Sequence, residues 1–149
     1  MKSRLLVILA AALTLVLLSS SMALANDAPF DDSPAILRSS NYLTTYIADI
    51  EAQGNNIVKV SFTVRAKTTM DEVGVLQIEI ERNAGNGWFY DRTLDHDDYS
   101  NFIKQNALSN KSSVTFTGIA GYQYRATITA YAADSGGSDS KTAPCGTTT

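Results

Sequence analysis

From Asn41 onward, apolar side chains recur at every second position. Val58, Val60, Phe62, Val64 and Ala66 alternate with Lys59, Ser61, Thr63, Arg65 and Lys67. A period of two sends successive side chains to opposite faces of an extended chain, so one face is buried and the other meets water. The same alternation puts Leu76, Ile78 and Ile80 inside against Gln77, Glu79 and Glu81. It also puts Tyr122, Tyr124, Ala126, Ile128 and Ala130 inside against Gln123, Arg125, Thr127 and Thr129. Shorter strands are predicted over 42–52, 88–93, 113–117 and 138–142. The turn-forming runs Gly54-Asn55-Asn56, Gly85-Asn86-Gly87, Gly118 to Gly121 and Ser135-Gly136-Gly137 separate them, for about seven strands in all. One stretch departs from the pattern. Tyr99, Phe102, Ile103 and Ala107 lie at helical spacing behind Asp97, a possible N-cap, which predicts one short helix near residues 97–107.

Short strands with one apolar face each predict an all-β domain, a two-sheet antiparallel β-sandwich in which the two apolar faces meet. At the closing strands Tyr124-Arg125-Ala126-Thr127-Ile128-Thr129-Ala130, followed by Gly136-Gly137-Ser138-Asp139-Ser140, resembles the Y-x-x-x-V-x-A…G-x-S segment of fibronectin type III domains, which are immunoglobulin-like sandwiches. The resemblance implies one such domain over residues 41–144, with the hydroxyl of Tyr124 tying down a corner between the last long strands. Phe62 stands where that family usually has a tryptophan, and Ile119 stands one residue out of register for the leucine before the corner. The whole chain also resembles small secreted proteins of Gram-positive bacteria.

The N-terminal segment reads differently. Lys2 and Arg4 precede an apolar run from Leu5 to Leu18, and small residues follow as far as Ala23-Leu24-Ala25. A positive end, an apolar stretch and small side chains at a peptidase site make a secretory signal peptide over 1–25, cut after Ala25. The run is shorter than the ~20 residues that cross a bilayer, so no membrane span is expected to remain. Asn26 at the cut offers no thiol for a lipid anchor, which points to a secreted protein, extracellular or loosely associated with the cell wall. Asp, Pro, Ser and Ala over 26–40 predict a flexible lead-in, and 145–149 a disordered tail.

Signal removal leaves ten basic against fifteen acidic residues, a net charge of −5. The basic residues are scattered singly, so no face suits the phosphates of a nucleic acid. Cys145 is the only cysteine. It excludes an internal disulfide and leaves a free thiol in the tail or a bond between two chains.

Candidate chemistry is sparse. His96, the only histidine, sits in Asp95-His96-Asp97-Asp98 and is the one plausible general base for a secreted hydrolase. A catalytic triad, however, needs acid and nucleophile on opposite ring nitrogens, supplied by separated elements. As a calcium loop the segment fails. Tyr99 occupies the fifth position, Ser100 replaces the glycine and Asn106 replaces the bidentate glutamate, which leaves only a loose, weak site at Asp95, Asp97 and Asp98. One histidine and a distant cysteine do not suit zinc. No metal or other cofactor is expected. Glu79 and Glu81 share an outward face without the desolvation that a proton-holding carboxyl requires. Asn110-Lys111-Ser112 matches a glycosylation sequon, of consequence only in a eukaryotic secretory pathway, and otherwise reads as a polar turn.

The densest aromatic cluster is Trp88-Phe89-Tyr90. Alternation puts Trp88 and Tyr90 on one face and Phe89 on the other. Either Trp88 caps the core, or Phe89 points inward and the other two form an exposed platform for a sugar ring or a protein partner. The functional expectation, resting mainly on fold analogy, is a non-enzymatic extracellular interaction or adhesion module that binds a protein or glycan through Trp88, Phe89 and Tyr90. The alternative is a small secreted hydrolase, or an enzyme inhibitor, with its site around His96.

Overall fold

The computed structural model describes residues 40–148, so the expected signal peptide and nearly all of the expected lead-in lie outside the described residues. Six strands follow in order: β1 (Leu43–Gly54), β2 (Ile57–Asn83), β3 (Trp88–Asp95), β4 (Ile103–Thr117), β5 (Gln123–Asp134) and β6 (Gly137–Thr147). All pairings are antiparallel and belong to one sheet. No described helix is long and apolar enough to cross a membrane.

The spine is β2, 27 residues long. Its first half pairs with β1 on one edge and β4 on the other, as at Val60, opposite Ile50 and Val114. Its second half pairs with β5 and β3, as at Ile80, opposite Ala126 and Arg92. The ladder to β4 breaks register between Arg65 and Met70, where the strand bends. Strands β3 and β4 therefore lie one after the other along the same edge of β2. The sheet curls into a half-barrel, with β6 joined to β5 and resting against β1 outside any ladder.

The expected two-sheet sandwich is thus replaced by a single curled sheet. The physical reason lies between Ala66 and Leu76, where two separate strands were expected to part company. Lys67-Thr68-Thr69-Met70-Asp71-Glu72-Val73 holds no Gly, Pro or Asn, and Gly74 after it stays in the ladders to β4 and β5, so nothing turns the chain out of the sheet. The chain stays extended and changes its neighbours instead.

The expected helix near 97–107 is also absent. Residues 96–102 form tight turns, in which Asp98 N–H donates to Asp95 O at 3.1 Å and Phe102 N–H to Tyr99 O at 2.9 Å; Ile103 and Ala107 already belong to β4. The three-residue spacing of Tyr99 and Phe102 serves the turn. It brings the rings into a stack at 5.0 Å, with Phe102 edge-on to Phe62 at 5.6 Å, and so plugs the bent end of the half-barrel. At that end β2 carries Gly74, where a Cβ would lie 1.9 Å from Phe102 O. Only a hydrogen in place of a side chain allows the turn to dock there, with Val75 N–H donating to Phe102 O at 2.9 Å.

The core is the inner face of the curl. Val60, Val64, Val73, Val75, Ile78, Ile80 and Ile128 are fully buried, each worth about 1.5–3 kcal/mol of transfer free energy. Small residues, Ala126, Ala130, Ala132 and Ala143, occupy the buried face of β5 and β6. Two expected inward residues differ. Leu76 is half-buried at a break in register with β5, and Tyr122 is exposed in the turn before that strand. Cys145, expected in a tail beyond residue 144, is instead 2% exposed within β6, and the ordered domain runs on to Thr148, whose N–H donates to Tyr124 O at 2.8 Å.

Candidate functional site

Because β2 bends in its middle, it begins and finishes at the same end of the molecule. Three turns gather there: 54–56 between β1 and β2, 84–87 between β2 and β3, and 118–122 between β4 and β5. Gly118 N–H donates to Asn56 O at 2.7 Å, which fastens the third turn to the first. In the second, Gly85 and Gly87 take φ values of +99° and +118°, a region in which a β-carbon would clash. Asn83 Oδ1 accepts both of their N–H groups, at 2.6 and 3.2 Å.

Tyr124 braces the third turn. Its buried ring lies edge-on to Phe116 at 5.4 Å, and its hydroxyl accepts the N–H of Ile119 at 2.7 Å. This contact spans only five residues and so does not depend on a two-sheet architecture.

Strand β3 starts from the second turn. Its register with β2 shifts between Ile80 and Glu81: Ile80 opposes Arg92, yet Glu81 opposes Tyr90, so Asp91 is an extra, bulged residue. The bulge reverses the facing of everything before it. Without it Trp88 and Tyr90 would share the inner face with Leu94; with it they lie on the outer face beside Glu81, and Phe89 opposes Arg82 on the other side. Asp91 itself is held by Arg92 at 2.6 Å and Arg82 at 3.4 Å.

Trp88 therefore does not cap the core. It is half-buried outside the core cluster, its ring 4.6 Å from the Arg125 guanidinium, which Glu81 grips through both carboxylate oxygens at 2.7 and 3.2 Å. Tyr90 is 62% exposed, its hydroxyl 3.3 Å from Thr93 Oγ1, and Phe89 is 56% exposed. Tyr122 lies under the Arg82 guanidinium, 5.5 Å away, and Ile119 is exposed beside it in the turn. Of the five exposed large apolar side chains among the described residues, four, namely Phe89, Tyr90, Ile119 and Tyr122, are at this end. A recess of about 240 Å³ lies between the first and third turns, lined in part by Asn55, Asn56, Ile119 and Tyr122. A depression of about 450 Å³ lies on the outer face of β1, β2 and β4 around Ile47, Lys59, Ser61, Lys111 and Ser113.

At the opposite end, the structure brings Asp95, His96 and Asp97 together and leaves Asp98 out of the group. His96 Nδ1 lies 2.9 Å from Asp95 Oδ1 and 3.1 Å from Leu76 O, whereas Nε2 faces Asp97 Oδ1 at 3.6 Å. The two carboxylates thus sit at opposite nitrogens of one ring, and one ligand atom from each of the three residues lies within 4.8 Å of the others. Asp95 Oδ1 is also engaged by the N–H of Asp97 at 3.1 Å, as in an ordinary Asx turn. Among the described residues no hydroxyl or thiol bonds to either ring nitrogen, so no triad is assembled.

The remaining sequence candidates have structural partners. Glu81 is paired with Arg125, while Glu79 stands exposed one pleat along. Asn110 of the sequon is only 6% exposed, and its amide nitrogen donates to Phe102 O at 2.8 Å and Asn101 O at 3.1 Å, pinning the docked turn. Burial pushes the Cys145 thiol up to about 12, so it stays protonated at neutral pH. Ser40 donates to Asp139, and that bond, with Lys141 at 3.4 Å, holds the carboxyl below its ordinary value. Sequence reasoning missed Arg125, Ile119 and Tyr122. The signal available for Arg125 was its place on the outward parity of β5, directly across β2 from Tyr90.

The class that these features define is an all-β half-barrel with an aromatic end. Comparison with protein-family models, curated proteins and solved structures finds no match.

Proposed function

We propose that the protein is a secreted, non-enzymatic extracellular binding module that meets its partner with the aromatic end of the half-barrel. The observation that carries this reading is the gathering of Phe89, Tyr90, Ile119 and Tyr122, all exposed, at the end where three Gly-containing turns are fastened by Asn83, Asn56 and Tyr124. Exposed aromatics are costly in water unless a partner covers them. Tyr and Trp supply large contact area with few rotatable bonds, and Gly and Asn shape the turns around them, the composition that binding loops use. Export rests on the charged start, apolar run and Ala23-Leu24-Ala25 site.

The test is retention of the secreted protein on an array of extracellular glycans and extracellular proteins. At least one of Tyr90→Ala and Tyr122→Ala should abolish retention on the member that holds the wild type, with the melting temperature nearly unchanged. Retention on no member of the array, or retention that neither substitution alters, contradicts the reading.

A further inference from the structure

We propose that the ligand of this end is a neutral polysaccharide, laid as an extended chain over Trp88 and Tyr90 on the outer face of β3, β2 and β5; the inference rests on the binding-module reading and names its ligand class. The outer face is fixed by register. Trp88, Asn83 and Gln123 form one row, Tyr90, Glu81 and Arg125 the next, and Thr93, Glu79 and Thr127 a third. None of these is aliphatic. A protein interface also uses Trp, Tyr and Arg, but it seats them in a well-packed, desolvated core, and no aliphatic side chain surrounds these two rings to make one. What the face offers is two aromatic residues whose backbone positions lie about 7 Å apart, the two-residue repeat of a strand, in a field of hydroxyls, amides and carboxylates.

That combination matches the chemistry of a sugar ring. A pyranose presents a patch of C–H bonds, slightly positive, to the electron-rich face of an aromatic ring. It presents hydroxyls around its rim to planar polar groups such as those of Glu81, Arg125 and Gln123. The rings are held ready. Arg125 supports Trp88 at 4.6 Å and is itself clamped by Glu81, and Tyr90 is tethered to Thr93. Little side-chain freedom is left to lose on binding.

Charge selects a neutral polymer. Glu81 and Arg125 neutralise one another, and Arg82 and Arg92, which pair with Asp91, have the parity of the other face. The exposed carboxylate of Glu79 stands in the third row and would repel a polyanion.

Affinity electrophoresis of the whole secreted protein in native gels containing hydroxyethylcellulose, laminarin or galactomannan, with polygalacturonate as the anionic probe, tests this. At least one neutral polymer should retard migration. Trp88→Ala and Tyr90→Ala should each weaken the retardation about tenfold, and His96→Ala, at the opposite end, should leave it unchanged. Tyr90 is mostly in solvent, so its variant keeps the test valid if loss of Trp88 loosens the hairpin. Retardation by none of the neutral polymers, by polygalacturonate alone, or undiminished in Tyr90→Ala overturns the proposal. If the array instead shows a protein held through Tyr90 or Tyr122 and no sugar bound, the glycan ligand falls and the binding module stands.

Discussion

The two ends of the half-barrel treat their aromatic residues in opposite ways. At the bent end Tyr99, Phe102 and Phe62 are packed together beneath a rim rich in carboxylates: Asp71, Glu72, Asp95, Asp97, Asp98, Asp134 and Asp139 against Lys67, Lys104 and Lys141. Every specialised residue there serves closure, Gly74 by leaving room for Phe102 O and Asn110 by binding it. At the other end rigid turns and a bulge bring Trp88, Phe89, Tyr90 and Tyr122 outward. Under the proposed function the difference separates roles: the bent end holds the fold, and the aromatic end is left for a partner.

Substitutions can break that division. The largest effect should come from Phe102→Ala, which empties the plug and costs about 3–5 kcal/mol in urea unfolding, while the folded fraction still binds any ligand of the aromatic end. Tyr124→Phe removes the acceptor for the Ile119 N–H and should cost about 1 kcal/mol; because it loosens the third turn, it tests whether bracing at the binding end also contributes to stability. A cost as large as that of Phe102→Ala would blur the division.

Cys145 gives a pH-dependent handle. Its folded value, about 12, lies above the ordinary 9.0, so the neutral thiol is favoured by folding. The stabilisation is complete below pH 9 and is lost as pH climbs towards 12. Cys145→Ala should flatten the part of the alkaline stability slope that belongs to this thiol, and thiol reagents should label the wild type only after unfolding. The smallest effect is expected for His96→Ala, within about 0.5 kcal/mol in stability and with ligand retention unchanged, because the ring serves a solvated turn. Loss of retention in that variant would move function to the acidic end.

Alternation in the sequence was enough to identify all-β structure and the buried residues of the long strands, since Val60, Val64, Ile78, Ile80 and Ile128 lie inside as their parity requires. It could not show that one strand joins 57 to 83, because a bend within a strand needs no turn residue; the break in pairing near Met70 is set by neighbours far along the chain. Parity also fails across an unmarked bulge. Asp91 carries no Gly or Pro signal, yet it decides which way Trp88 faces. The helical spacing of Tyr99 and Phe102 was real, but a single turn satisfies it as well as a helix does. The last strand runs through Pro144 and Gly146, which give no strand signal in the sequence, because an edge strand tolerates both.

Trp88 is the only tryptophan, so its fluorescence reports on the proposed platform alone. Acrylamide quenching measured in the free protein, and again with the neutral polysaccharide that retards it, is the most direct test of the aromatic end as the binding surface. Trp88 should be quenched readily in the free protein and shielded when the polysaccharide is added. Blue-shifted emission that acrylamide cannot reach in the free protein, or quenching that stays the same with the polysaccharide bound, would contradict it.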